Sequence, residues 1–187
     1  MSRKFKILLV VSNLLVLLVL TVSSALATFT IGWWKNKGLN KWDESGDIIV
    51  VNVAPGATGC NGTGFYAGLM YPYQVAGRTL TYLDILKSAN ASDASLMLAA
   101  QTIAAQLNIA QGACNAFGGN IQALVSLAND FLVINPVGSD PQGADRDYAL
   151  ALKDCLDLHN NLENGDPNYG TDLSPAYVCA KDLLGLP

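Results

Sequence analysis

The single histidine, His159, stands among carboxylates: Asp154 and Asp157 lie close in sequence, with Asp145 and Asp147 a few helical turns earlier. A histidine paired with a carboxylate can serve as the general base of a hydrolysis. Asp157, however, is two positions from His159, which on a helix is a different face. No motif marks a serine or cysteine nucleophile either. The expectation is a structural histidine, no catalytic residue and no enzyme, with an acidic-residue hydrolase the least favoured reading.

Trp33, Trp34 and Trp42 cluster near Asn36 and Asn40. Exposed indoles beside amides would suit sugar rings, the rings stacking while the amides hydrogen-bond. The preferred alternative, since tryptophans are mostly buried, has them covering one end of an apolar core. Asn164, Asp166, Asn168 and Asp172 alternate in a glycine-bearing loop, as do Asp140, Asp145 and Asp147 in an earlier one. Oxygen ligands at alternate positions can wrap calcium, which makes Asp166, Asn168 and Asp172 weak calcium candidates. The loop departs from an EF-hand because Gly170 does not directly follow Asn168 and no glutamate closes it. Turn and capping roles are preferred there, and no cofactor is expected.

Cys60, Cys114, Cys155 and Cys179 contain no C-x-x-C pair, so neither structural zinc nor thioredoxin-like redox chemistry is expected. An even number in an exported chain points to two disulfides, with three ways to pair them. The preferred set is Cys155–Cys179, which joins two consecutive helices, together with Cys60–Cys114. Asn61-Gly62-Thr63 and Asn90-Ala91-Ser92 are triplets that can accept N-linked sugar.

The case for export is in the first 27 residues. Arg3, Lys4 and Lys6 precede an apolar run from Ile7 to Leu20, and Ala25-Leu26-Ala27 closes it with a small-x-small pattern. Basic, apolar, small in that order reads as a signal peptide cleaved after Ala27. An uncleaved anchor is less favoured, since a bilayer span needs about 20 apolar residues. Removing 27 of the 187 residues leaves 160, with 8 basic against 15 acidic residues and a net charge of −7. The whole chain is 51% hydrophobic and 14% charged, with net charge −4 and a pI near 4.7. That composition excludes a disordered tail, and the acidity argues against nucleic acid as a partner. The membrane enters only through the leader, and the mature chain is expected outside the cell or at its surface.

Stepping along residues 28–187, helical punctuation dominates the second half. Thr81 and Asp84 fit a capping box ahead of Tyr82, Ile85 and Leu86. Asp93 can cap a helix whose apolar stripe is Leu96, Ala99, Ala100, Ile103, Leu107 and Ala110. Asn120 can cap a helix to Ile134, with Ile121, Leu124, Val125, Ala128, Phe131 and Leu132 on one face, ended by Asn135-Pro136. Asp145 starts a helix to about Leu162, with Tyr148, Leu152, Cys155, Leu156 and His159 on one side. Ser174-Pro175 opens a last helix that stops at Gly185. The first half is irregular, with a β-branched run from Asp47 to Val53 of strand length. The predicted architecture is mainly α: one compact domain of about five helices with a small irregular or β N-terminal portion.

Thr28-Phe29-Thr30-Ile31-Gly32-Trp33-Trp34-Lys35-Asn36 resembles the T-x-G-Y-W-K-N-H opening of a group of secreted bacterial and archaeal proteins without assigned activity. Thr81-Tyr82-Leu83-Asp84-Ile85-Leu86 and Asp93 through Asn108 resemble their T-Y-x-x-x-L-L-x-I-L segment and their D-A-S-L-I-L-A-H-Q-L-I-A-A-K-L-N helix. Leu150-Ala151-Leu152 through Asn160-Asn161 is similar to a further A-L-A-x-x-L-x-x-Y-N-N-G stretch. The resemblance implies an exported domain, often part of cell-surface proteins, with no reaction attached. The motif histidines are replaced here by Lys37 and Ala100, Ala27 stands where many members have cysteine, and residues 44–70 look like an insertion. The expected function is therefore a secreted, non-catalytic structural or adhesive protein, with self-assembly one form of that role, whose partners are surface components or copies of itself. The alternative is a glycan-binding module built on the tryptophan cluster.

Overall fold

The structure, a computed structural model, describes residues 29–39, 42, 50–51, 69–70, 75–89, 92–110, 120–161, 179, 182–183 and 185. These are mainly helical, as the sequence predicts. A π-helical turn at Trp33–Lys37 comes first. Two-residue strands β1 (Val50–Val51) and β2 (Leu69–Met70) pair antiparallel, with Val50 opposite Met70 and Val51 opposite Leu69. Four α-helices follow: α1 (Tyr82–Ser88), α2 (Ala94–Ala110), α3 (Asn120–Ile134) and α4 (Gly143–Asn160).

The starts of α1 and α2 have local causes. At α1 the Thr81 hydroxyl accepts from the Asp84 N–H at 3.1 Å, and the Asp84 carboxylate accepts from the Thr81 N–H at 3.3 Å. The Thr81 hydroxyl also donates to the Asp84 carboxylate at 2.7 Å, and this bond, together with that from the Thr81 N–H, favours the charged form and lowers the Asp84 pKa below its ordinary value. At α2 the Asp93 carboxylate accepts from the Ser95 N–H at 2.9 Å and, with its other oxygen, from the Gly138 N–H at 2.7 Å. One cap therefore also ties the α3–α4 connection onto the start of α2. Helix α4 begins at Gly143, two residues before the expected Asp145, and ends at Asn160 rather than near Leu162. Asp145 lies in its first turn, where a negative charge suits the helix dipole.

Helix α2 is the centre of the molecule and packs against α1, α3 and α4. The expected stripe is too narrow a description of it. Leu98, Ala104 and Ala105 are as fully buried as Ala99, Ala100, Ile103 and Leu107. A helix surrounded by three others has no solvent side to reserve for charge. Its small alanines let those neighbours approach. The faces of α1 and α3 are buried as predicted, from Tyr82, Ile85 and Leu86 through Ile121, Leu124, Val125, Ala128, Phe131 and Leu132. On α4, Ala149, Leu152, Cys155, Leu156, His159 and Asn160 face inward, whereas Tyr148 is 38% exposed and leaves the predicted face. Its ring lies instead against that of Phe131, with centroids 5.9 Å apart.

Cys155 and Cys179 are joined as a disulfide with Cα atoms 5.5 Å apart. Of the predicted fifth helix, Cys179, Asp182 and Leu183 are helical and Gly185 turns at φ +62°. Its start at Ser174-Pro175, the remainder of the Asp47–Val53 run, the leader and most of residues 44–70 lie outside the described residues.

Candidate functional site

The described residues of 29–42 meet α2 at Asn108, which in turn bonds Asn160 at the end of α4. Gln101 and Asn108 are seven positions apart, hence on one face of α2, in an alanine-rich stretch. A buried amide there is costly unless every polar atom finds a partner. Asn108 Oδ1 accepts from the Phe29 backbone N–H at 2.8 Å and from the Trp34 indole Nε1–H at 3.3 Å. Its Nδ2 donates to the Phe29 carbonyl at 3.0 Å and to Asn160 Oδ1 at 2.9 Å. Asn160 Nδ2 then donates to the Gln101 carbonyl at 2.9 Å and to Gln101 Oε1 at 2.7 Å. Gln101 Nε2 donates to the Asp157 carboxylate, which also accepts from Asn161 Nδ2 at 2.8 Å.

This chain of amides has a direction. It starts at an indole N–H, which can only donate, and ends at a carboxylate, which when ionised can only accept. Every amide between them is thereby oriented, oxygen toward the indole end and nitrogen toward the carboxylate end. Gln101, Asn108 and Asn160 are all buried, so the bonds work in a low dielectric where a missing partner would be expensive.

The aromatic residues at the donor end form a compact knot. The Phe29 and Trp33 rings stack at 3.9 Å, and Trp34 meets both edge-on, at 5.7 Å from Phe29 and 4.9 Å from Trp33. Trp34 is completely buried, while Trp33 and Trp42 are partly buried against the core. Trp42 Nε1 donates to the Trp34 carbonyl at 3.2 Å. Gly38 makes the turn possible, since a Cβ there would sit 2.8 Å from the Trp33 ring. Asn36 is exposed and its Nδ2 donates to the Gly32 carbonyl at 2.9 Å, inside its own turn. The tryptophans therefore do not form a flat exposed row. They cap the helical core, and Trp34 is withdrawn from any surface ligand; Asn40 lies outside the described residues.

His159 is fully buried, and desolvation pushes its imidazole from the ordinary 6.5 down to about 3. The ring is neutral at pH 7 and sealed from solvent, the position of a core residue rather than a general base. Its neighbours in sequence do other work. Asp157 holds Gln101 and Asn161, Asp154 pairs with Lys153, and Asp145 and Asp147 are exposed. Asp140 faces Arg146 at 3.8 Å, and Arg146 also reaches the Ser92 carbonyl at 3.4 Å.

Among the described residues, no group of His, Cys, Asp and Glu side chains converges as metal ligands would. No helix among them is long and apolar enough to cross a membrane. The calcium candidates Asp166, Asn168 and Asp172, the cysteines Cys60 and Cys114, and the sugar acceptors Asn61 and Asn90 lie outside the described residues. Ala100, where the resembled helix has histidine, is fully buried, while Lys37 at the other histidine position is exposed.

The amide chain itself escaped sequence reasoning. Its signal was present: three carboxamides and a carboxylate at positions that helical spacing directs inward. Compared with protein families, curated proteins and solved structures, the chain matches none.

Proposed function

We propose that this chain is an exported, non-catalytic module with a structural or adhesive role at or beyond the cell surface. The observation that carries the reading is that, among the described residues, the histidine, the fully buried tryptophan and the carboxylate of the amide chain are spent on holding the fold. His159 is a neutral core residue, Trp34 and Asn108 fasten the N-terminal segment, and Asp157 terminates the amide chain. Export rests on the basic, apolar and small leader ahead of Thr28, and the resemblance to secreted proteins of the T-x-G-Y-W-K-N-H group agrees with it. Its partners are surface components or further copies of the chain.

The test uses residues 28–187 purified under oxidising conditions. Light scattering over a wide concentration range reads self-association, and co-sedimentation with cell-envelope fractions reads attachment. Either form of association supports the role. A chain that stays monomeric and sediments with no fraction overturns it. A glycan-binding module is the second reading, resting on partly exposed Trp33 beside exposed Asn36. Binding to a glycan array that is lost on Trp33→Ala would move it to first place.

A further inference from the structure

We propose that the chain cleaves its own backbone between Asp140 and Pro141, with the Asp140 carboxyl group as nucleophile and the Gln142 side chain supporting the carbonyl it attacks. The inference is independent of the role proposed above.

The bond lies in the connection between α3 and α4, which is fastened on both sides. Before it, the Gly138 N–H donates to the Asp93 carboxylate at 2.7 Å and the Ser139 N–H to the Pro136 carbonyl at 2.9 Å. After it, Pro141 is buried and α4 begins at Gly143. Between these anchors Asp140 is held at φ +45°, and among the described residues it is the one non-glycine at positive φ. Gly138 and Gly143, at +91° and +57°, adopt such angles freely, but Asp140 carries a Cβ. It also precedes a proline, whose ring drives the residue before it toward extended backbone with φ about −120°. Backbone held so far from its preferred region is characteristic of sites where strain enters the chemistry.

The groups at this bond suit its scission. The Asp140 carboxyl closes a five-membered ring when it attacks its own carbonyl carbon, a reaction favoured by proximity alone. Pro141 has no N–H, so its nitrogen cannot attack the side chain in the opposite sense to give a cyclic imide. Gln142 Nε2 donates to the Asp140 carbonyl oxygen at 2.9 Å, the atom on which negative charge develops during the attack. The Arg146 guanidinium stands 3.8 Å from one Asp140 carboxyl oxygen and also reaches the Ser92 carbonyl at 3.4 Å, which keeps the carboxyl at the turn. The Asp140 side chain is more than half exposed, so water has access.

The step balances with a single water. A carboxylate oxygen of Asp140 adds to its own carbonyl carbon, and the negative charge passes to the carbonyl oxygen under Gln142 Nε2. Collapse breaks the C–N bond, and the Pro141 nitrogen takes a proton from water to leave as a secondary amine. The hydroxide left behind opens the cyclic anhydride to the two carboxyl groups of a C-terminal Asp140. Scission frees Asp140 from its positive φ while the core stays closed. Helix α4 remains bound to α2 through Gln101–Asp157 and Asn108–Asn160, and Cys155–Cys179 lies wholly within the second fragment. The product is a two-chain domain whose second chain starts at Pro141.

The experiment incubates the full chain at pH 7 and 37 °C, folded in one sample and unfolded in concentrated guanidinium in another. Both are reduced and followed by intact mass spectrometry for the fragment 141–187, whose mass does not depend on what becomes of the leader. Asp166–Pro167, in the unfolded sample, calibrates an Asp–Pro bond with no fold around it. Self-cleavage predicts that the folded chain is cut after Asp140 at least about tenfold faster than the unfolded one, since donor and geometry are present only in the fold. Asp140→Glu keeps the charge but enlarges the ring, and should abolish the excess rate. Gln142→Ala should lower it about tenfold, less than loss of a buried donor would, because Gln142 is exposed. Both positions are exposed, and circular dichroism verifies that the variants fold. A folded chain that stays intact, or is cut no faster than the unfolded one, overturns the proposal. An excess rate unchanged in Asp140→Glu overturns the nucleophile, and one unchanged in Gln142→Ala overturns the supporting donor.

Discussion

Acidification should weaken this fold through His159 in a calculable way. The imidazole is neutral inside the core with a pKa near 3, whereas the unfolded chain titrates at the ordinary 6.5. Between those values the unfolded state binds more protons than the native one. Stability is therefore fully present above pH 6.5 and drains as the pH falls toward 3. At pH 7 the penalty is only about 0.2 kcal/mol, and at pH 5 it is roughly 2 kcal/mol. Urea unfolding of residues 28–187 at both pH values gives the stability of the wild type and of His159→Gln from midpoint and slope. The comparison is one of slopes against pH, so any pH-independent cost of the substitution drops out, as do the shared carboxylates. The wild type should lose about 2 kcal/mol more than the variant between pH 7 and 5, or about 4–8 °C in Tm for a chain of this length. Parallel losses in the two proteins would show that His159 takes up its proton as readily in the native state as in the unfolded one, and the reasoning from burial would fail.

Asn108→Leu strands the Phe29 backbone, the Trp34 indole and Asn160 Oδ1 at once, so a loss of about 3 kcal/mol or more in urea unfolding is expected. The Trp34 indole N–H resonance should move in the same variant. Gly38→Ala should cost about 1–3 kcal/mol, because the new methyl meets the Trp33 ring at 2.8 Å and the Trp34 carbonyl at 3.2 Å. Gly32→Ala is its control, with the nearest atom at 3.5 Å, and should change the midpoint little. Reducing Cys155–Cys179 frees a loop with a sequence separation of 24, for an expected loss of about 3 kcal/mol. Thermal unfolding with and without reductant, alongside Cys155→Ala, reads that loss.

Local signals made much of this fold legible. Thr81 and Asp84 announce a helix start through side chains that bond backbone three residues away, and Ile121 through Leu132 repeat with the period of one buried face. Both are consequences of sequence neighbourhood. Burial all round α2 is not, since it depends on three helices arriving from elsewhere in the chain. Tyr148 shows the same limit: its spacing matches Leu152 and Cys155, yet Ala149 takes the fully buried place in that turn and Tyr148 stays 38% exposed beside it. The π-helical turn at Trp33–Lys37 arises from rings stacking over a glycine, which no periodicity records. His159, whose spacing puts it on the apolar side of α4, is buried there, while the pairing within the amide chain leaves no local signal because its partners are far apart in sequence, 79 positions from Phe29 to Asn108 and 56 from Gln101 to Asp157.

Those separations have a bearing on how the chain reaches its native state. Helix α2 is complete some 30 residues before α4 begins, so one side of an almost wholly apolar helix waits for its cover. Gln101 and Asn108 mark that side, since their eventual partners Asp157 and Asn160 are on α4. In the interval their carboxamides can be hydrated, which keeps the last surface to close from being uniformly sticky when chains are crowded. Distant contacts also slow folding, because loop entropy is lost before the contact forms. The polar residues that lock the finished core thus occupy the place where a partly folded chain would otherwise be most prone to aggregate.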